Sequence, residues 1–153
     1  MESSKPPFLL WLLLFFLFLL ALGGLYGAVG FLSDPSGAAM GMRNELAKLP
    51  VSDFRLPGLF LLIVMCIYPL FLIYGMLRQP RWDLGARLTA WSRSYWAWAG
   101  TLILGVVLAL WLGLQAVYIG FSAPSQWFTA FLDVMILLLV LLPPVRRFFA
   151  ELR

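Results

Sequence analysis

The chain has no histidine and a single cysteine, Cys66, and only 12% of its 153 residues are charged. Without imidazoles or paired thiols it lacks the usual zinc and transition-metal ligand sets, the commonest general base near neutral pH, the ordinary axial ligand of haem and any disulfide framework. No metal and no cofactor is expected. The shortage of charge is the more decisive absence. Soluble domains carry about 25% charged residues and could not hide from water a chain as apolar as this one. It is 63% hydrophobic, with a mean hydropathy of +0.94. The solvent that suits such a composition is lipid.

What the chain does have is long runs free of Asp, Glu, Lys and Arg. A hydrocarbon core about 30 Å thick takes roughly 20 helical residues. Residues 6–33, 56–77 and 94–132 form such runs, and the third, too long for one span, breaks at Ser122-Ala123-Pro124-Ser125-Gln126. Four helices follow, over about 7–32, 56–77, 95–121 and 126–145, the last carrying Asp133 and stopping at Pro143-Pro144. Strands of a membrane barrel alternate polar and apolar residues, and Leu9 to Leu22 does not. The expected fold is all-α: an integral membrane four-helix bundle in one membrane domain, with a short structured outer loop over 33–55 and a Trp-rich interfacial segment in the cytoplasmic loop over 78–94. Lys5 ahead of the first run imitates a secretory signal. The apolar stretch from Phe8 to Leu32 exceeds the roughly 7–15 residues of a signal core, so it reads as an uncleaved span.

Four spans place Lys5, Arg78, Arg81, Arg87, Arg93, Arg146, Arg147 and Arg153 on one side. Arg43, Lys48 and Arg55 fall on the other, matched by Asp34, Glu45 and Asp53. Because Lys and Arg in short loops favour the cytoplasm, both termini are expected inside a multi-pass protein of the plasma (bacterial inner) membrane. This topology accounts for the net charge of +4 without a nucleic-acid partner. The outer-loop carboxylates Asp34, Glu45 and Asp53, offset by three cations, describe a solvated loop better than acid/base or divalent-ion chemistry.

Several local patterns carry structural expectations. Gly23 and Gly27, with Gly24 and Gly30, form a small-residue stripe on the first helix, and Gly105, Ala109 and Gly113 form another on the third. Such stripes let helix backbones approach closely where lipid offers no hydrophobic drive. They are expected to pack inside the bundle first, and against a second copy or another membrane subunit second. Asp34-Pro35-Ser36-Gly37 is turn chemistry, residues 44–49 suit one or two helical turns, and Pro69 is expected to kink the second helix. Leu84, Leu88, Trp91, Tyr95 and Trp98 recur at helical spacing, and Trp82, Trp91, Tyr95 and Trp98 are expected as anchors at the membrane interface. Cys66, in an apolar run, is expected to act as a small hydrophobe.

Asp133 is the ionisable group hardest to place. It lies eight residues past Ser125, roughly 12 Å along the helix, at a depth near that of Gln115 on the antiparallel third helix. An intramembrane charge costs about 2.5 to 3.5 kcal/mol on insertion scales, so Asp133 should face the bundle and either be protonated or find donors, with Gln115, Tyr118 and Tyr26 the candidates within range. A small polar pocket lined by Tyr26, Gln115, Tyr118, Thr129 and Asp133 and open to the outer face is one expectation. The other is a buried hydrogen bond that fixes the third helix against the fourth.

Asp34-Pro35-Ser36-Gly37 with Gly41-Met42, then Ser52-Asp53-Phe54 running into Leu56-Pro57-Gly58-Leu59-Phe60, then Trp111 with Gln115 and Gly120, and finally Leu142-Pro143 before Val145-Arg146-Arg147 occur in order along almost the whole chain. Together they resemble a group of small, uncharacterised bacterial four-span membrane proteins, loosely DoxX-like. The resemblance implies a four-helix membrane bundle with a structured outer loop and carries over no catalytic residues. The functional expectation is a non-catalytic membrane protein, an accessory or structural subunit that packs against other membrane subunits and lipid. The alternative is a small transporter or lipophile-binding protein that uses the Asp133 pocket. Small multidrug transporters share the four-span size but depend on an acidic residue in the first helix, where this chain has none.

Overall fold

The computed structural model describes residues 5–152; Arg153, counted above among the basic residues, lies outside them. Among the described residues the regular structure is entirely helical. In chain order it comprises α1 (Phe8–Ser33), α2 (Arg55–Arg78), a short α3 (Asp83–Leu88), α4 (Trp96–Ile119), α5 (Pro124–Leu141) and α6 (Pro143–Glu151). Of these, α1, α2, α4 and α5 are long and apolar enough to cross a membrane. The helix α1 packs on both α2 and α5, and α4 completes the ring against the same two neighbours.

The seam of α1 shows how the bundle is held. Leu10, Leu13, Leu17, Leu20, Gly24, Gly27 and Phe31 are all buried, at alternating spacings of three and four residues, as helices crossing at a shallow angle require. Where the seam turns to glycine, a neighbouring main chain comes in. A Cβ on Gly24 would lie 2.5 Å from both the carbonyl carbon and oxygen of Met65. That part of α2, Leu61–Ile67, is a π-helical segment, with Tyr68 N–H donating to Ile63 O five residues back. The expected proline kink takes this form. Pro69 has no N–H for its i−4 carbonyl, and the wider turn just before it adjusts the hydrogen-bond register.

At the end of the bundle away from the 33–55 loop, the boundaries expected from the sequence need correction. The fourth span ends at Leu141 rather than near Val145, and Leu142 is extended (φ −60°, ψ 138°). A residue before proline avoids the α region, and Pro143-Pro144 then occupy the first turn of α6, where absent N–H groups cost nothing. This amphipathic terminal helix buries Val145, Phe148 and Phe149 and leaves Arg146 and Arg147 exposed.

The stripe that runs from Leu84 to Trp98 also divides. Arg93 adopts a left-handed conformation (φ 52°), which breaks the helix between its two halves. Leu84, Leu88, Trp91 and Trp82 are exposed. Tyr95 and Trp98, expected beside them, lie inside the bundle instead. The Tyr95 hydroxyl donates to Pro80 O (2.8 Å) and its N–H to Phe149 O (3.1 Å). Trp98 Nε1 donates to Val140 O at 2.8 Å, the carbonyl whose normal i+4 partner would be Pro144. Each ring thus caps a backbone group left over at a helix end.

The 33–55 loop is a built structure. Asp34 Oδ1 accepts from the Ser36 hydroxyl (2.7 Å) and N–H (3.2 Å), and Oδ2 accepts from Ala39 N–H (2.8 Å). The Ser36 hydroxyl, followed by Ala39 N–H, holds the Asp34 carboxyl below its ordinary range. These bonds therefore persist through mild acid and are lost only as pH falls through that lowered value. Phe54 N–H donates to Pro35 O (2.9 Å), and the Phe54 ring stacks on Phe31 at 4.6 Å, pinning the loop to α1. Gly37 lies beneath that ring, at φ +75° with a hypothetical Cβ only 2.5 Å from it. Gly41 has a similar φ of +68° but open space around it. Gly37→Ala should therefore cost about 2 kcal/mol or more, and Gly41→Ala only about 1 kcal/mol of backbone strain. Thermal unfolding of the two variants in detergent checks this; equal costs would mean that Phe54 does not pack on Gly37.

Candidate functional site

A cavity of about 1190 Å³ occupies the half of the bundle nearest the 33–55 loop. Leu22, Gly23 and Tyr26 of α1 form one side of it, and Ser125, Phe128 and Thr129 of α5 another. Phe60 of α2 and Trp111 of α4 also line it, stacked at 4.2 Å. The loop residues Met40, Met42, Leu49 and Pro50 lie over it, and Leu19 and Met65 lie deeper in the bundle. Deeper still, α1 and α5 are in contact through Phe16 and Phe131, whose rings meet edge to face at 6.0 Å. The cavity exists because small or slender residues occupy α1 at this level. Gly23 has nothing within 4 Å of a hypothetical Cβ, so its absent side chain is open volume.

Four of the five pocket residues read from the sequence meet here: Tyr26, Gln115, Tyr118 and Thr129 all line the cavity. Tyr26 and Tyr118 are exposed (72% and 43%), which puts two phenol groups at its edge. Gln115 is oriented by a residue whose role the sequence did not reveal. Buried Gln126 uses every hydrogen-bonding direction of its amide. Its Oε1 accepts Ser122 and Ala123 N–H, both at 3.0 Å, and its Nε2 donates to Gly120 O (2.9 Å) and to Gln115 Oε1 (3.2 Å). Since Gln126 Oε1 is committed to backbone donors, Gln115 must present its oxygen to Gln126 and keep its own amide N–H groups for the cavity. The signal for Gln126 was its place at the start of α5, where the turn after α4 leaves N–H and C=O groups without helical partners.

Asp133 does not line the cavity. It is buried, and its Oδ1 has no hydrogen-bond partner. The expected bonds to Gln115, Tyr118 or Tyr26 are absent among the described residues, and the cross-link between α4 and α5 is made by Gln126 instead.

The glycine stripes separate in the same way. Gly27 packs on Leu61 and Gly105 on Leu137, whereas Gly23 and Gly113 meet nothing within 4 Å and Ala109 is exposed. The drift between 3.6 residues per turn and a spacing of four carries Ala109 and Gly113 off the packed face. Cys66 is buried and free.

In the 33–55 loop, Glu45 pairs with Lys48 at 2.7 Å and Asp53 with Arg55 at 3.7 Å, while Asp34 serves its own turn. Among the described residues no group of three or more His, Cys, Asp and Glu side chains is placed to hold a metal ion. The cavity thus offers a mostly apolar space with a few neutral hydrogen-bonding groups, on Tyr26, Gln115, Tyr118 and Thr129. Comparison with protein-family models, with curated proteins and with solved structures finds no match.

An unpartnered buried carboxyl costs stability. Asp133→Val should raise stability by about 1–3 kcal/mol in detergent unfolding, and Asp133→Asn should leave the contents of the cavity unchanged. A loss of stability on removing the carboxyl would show that it has a partner inside the bundle.

Proposed function

We propose that this multi-pass membrane protein is non-catalytic and holds one lipophilic molecule with a polar end in the cavity between α1, α4 and α5. The single observation that carries the reading is the cavity itself. Its volume of about 1190 Å³ exceeds the roughly 300–1,000 Å³ of ordinary small-molecule sites. Its walls are mostly aliphatic and aromatic, with polar groups on Tyr26, Gln115, Tyr118 and Thr129. An acyl or isoprenoid chain beside Leu22, Phe60 and Trp111, with a hydroxyl or carbonyl end facing the Gln115 amide, satisfies both kinds of wall. In the orientation set by the excess of Lys and Arg on the side of the chain ends, both termini are cytoplasmic and the cavity faces the outer leaflet of a bacterial inner membrane. Thr129 and Gln115 carry the binding polarity in this reading, and Asp133 has no part in it.

A second reading, an accessory subunit of a larger membrane complex, is favoured by one specific observation. Ala109 and Gly113, four residues apart, face outward on α4 with no neighbour over Gly113, a surface on which another helix can lie close.

Purification in mild detergent followed by mass spectrometry of everything that co-elutes tests both. The first reading expects one lipophilic molecule per chain. It also expects Gly23→Phe, whose Cβ would meet nothing within 4 Å, to lower its occupancy about tenfold or more while the protein stays folded. A stable larger assembly with an empty cavity supports the second reading and contradicts the first. Unchanged occupancy in Gly23→Phe places the molecule elsewhere.

A further inference from the structure

A second cavity, of about 720 Å³, lies at the opposite end of the bundle, between the loop that joins α2 to α4 and the end of α6. It is lined by Arg81, Arg87 and Arg93 together with Trp82, Tyr95 and Trp96. The three guanidinium groups come from three different local structures: the extended stretch before α3, the last turn of α3, and the left-handed residue at φ 52° that ends the following turn. None makes a hydrogen bond or ion pair among the described residues, although Asp83 lines the same cavity. Among the described lining residues, three cations and one carboxylate give a surplus of two positive charges. A preference for basic residues on one side of a membrane accounts for arginines in this loop. It does not account for their convergence on a single concavity.

The wall behind them is hydrogen-bonded and closely packed. Pro80 O accepts from both the Tyr95 hydroxyl (2.8 Å) and Trp96 Nε1 (3.3 Å), and Trp82 packs edge to face on Trp96 at 5.0 Å. Leu84, Leu88 and Trp91, each next in sequence to a residue that lines the cavity, are exposed and supply apolar surface on the same segment. A planar guanidinium pairs with two phosphate oxygens at once, and several of them around one site recognise a phosphate group by geometry as well as charge. We propose that Arg81, Arg87 and Arg93 form a binding site for the phosphate headgroup of an anionic phospholipid whose acyl chains lie along Leu84, Leu88 and Trp91. The apolar surface on the same segment is what favours a lipid over a free phosphate ion, and the surplus of two positive charges favours a doubly charged headgroup. This site is independent of the outer cavity and its contents.

The test uses delipidated full-length protein in detergent, with bound molecules counted by native mass spectrometry and stabilisation read from thermal unfolding. The probes are phosphatidylglycerol, diphosphatidylglycerol, phosphatidylcholine of the same chain length, and inorganic phosphate. Both anionic lipids should bind about tenfold or more tighter than phosphatidylcholine, the doubly charged one best, and inorganic phosphate should give no stabilisation. In Arg81→Gln/Arg87→Gln/Arg93→Asn, with asparagine chosen because it tolerates a left-handed backbone, this preference should disappear. The Arg146→Gln/Arg147→Gln protein loses equal charge per arginine from exposed positions outside the cavity and should keep it. If the triple variant fails to fold, Arg81→Gln/Arg87→Gln, with Arg93 left in place, gives the same comparison. Equal affinity for phosphatidylcholine, an equal loss in Arg146→Gln/Arg147→Gln, or phosphate binding as tight as the lipid overturns the proposal.

Discussion

In hydrocarbon a backbone N–H or C=O that leaves a helix has no water to turn to, and this constraint organises the molecule more than any packing preference. At several points where the chain interrupts its helices, a particular side chain receives the stranded group. Trp98 takes the Val140 carbonyl that Pro144 cannot serve. Gln126 gathers two N–H groups and one carbonyl at the turn between α4 and α5. Tyr95 and Trp96 share the Pro80 carbonyl, and Asp34 collects the donors after α1. The π segment before Pro69 solves the same problem with backbone alone.

These local solutions determine the shape. With the chain ends of α5 and α6 fixed by Trp98 and Tyr95, the half of the bundle that contains Leu10, Leu13, Leu17, Ile136 and Val140 closes into a continuous apolar core. Toward the 33–55 loop, α1 exchanges leucine for glycine, and the consequences differ by face. Gly24 admits the π segment of α2, while Gly23 opens onto the cavity. Charge is excluded from both regions except at Asp133, whose carboxyl oxygen without a partner is the one feature that local backbone chemistry does not explain. The arginine-lined concavity sits beyond the closed half, at the end of the bundle away from the 33–55 loop.

The parts of this account legible in the sequence are those that depend on polarity. Runs without charge located the four spans, and Asp34-Pro35-Ser36-Gly37 announced its turn. The parts that were not legible depend on which apolar residue faces which neighbour. In α1 the exposed Phe15 and Phe18 are as apolar as the buried Leu13 and Leu17, because lipid and protein interior both favour apolar side chains. For the same reason a spacing of four at Gly105, Ala109 and Gly113 gave no sign that only the first would be packed. Tyr95 and Trp98 misled because amphipathic rings suit an interface, yet a buried N–H or O–H with a backbone partner serves equally well. Tyr26, Gln115, Tyr118 and Thr129 were found because depth along antiparallel helices can be counted. Asp133 was joined to them because depth alone does not fix the direction in which a side chain points.

The central claim is that the bundle is closed at the end that bears its termini and open, around a guest molecule, at the other. A crystal structure of the protein grown from a lipidic mesophase tests it most directly. The account predicts an elongated non-protein molecule in contact with Gln115, Thr129 and the open face of Gly23. Helices α1 and α5 resting against each other along their whole length, with Gly23 covered by protein, would contradict it.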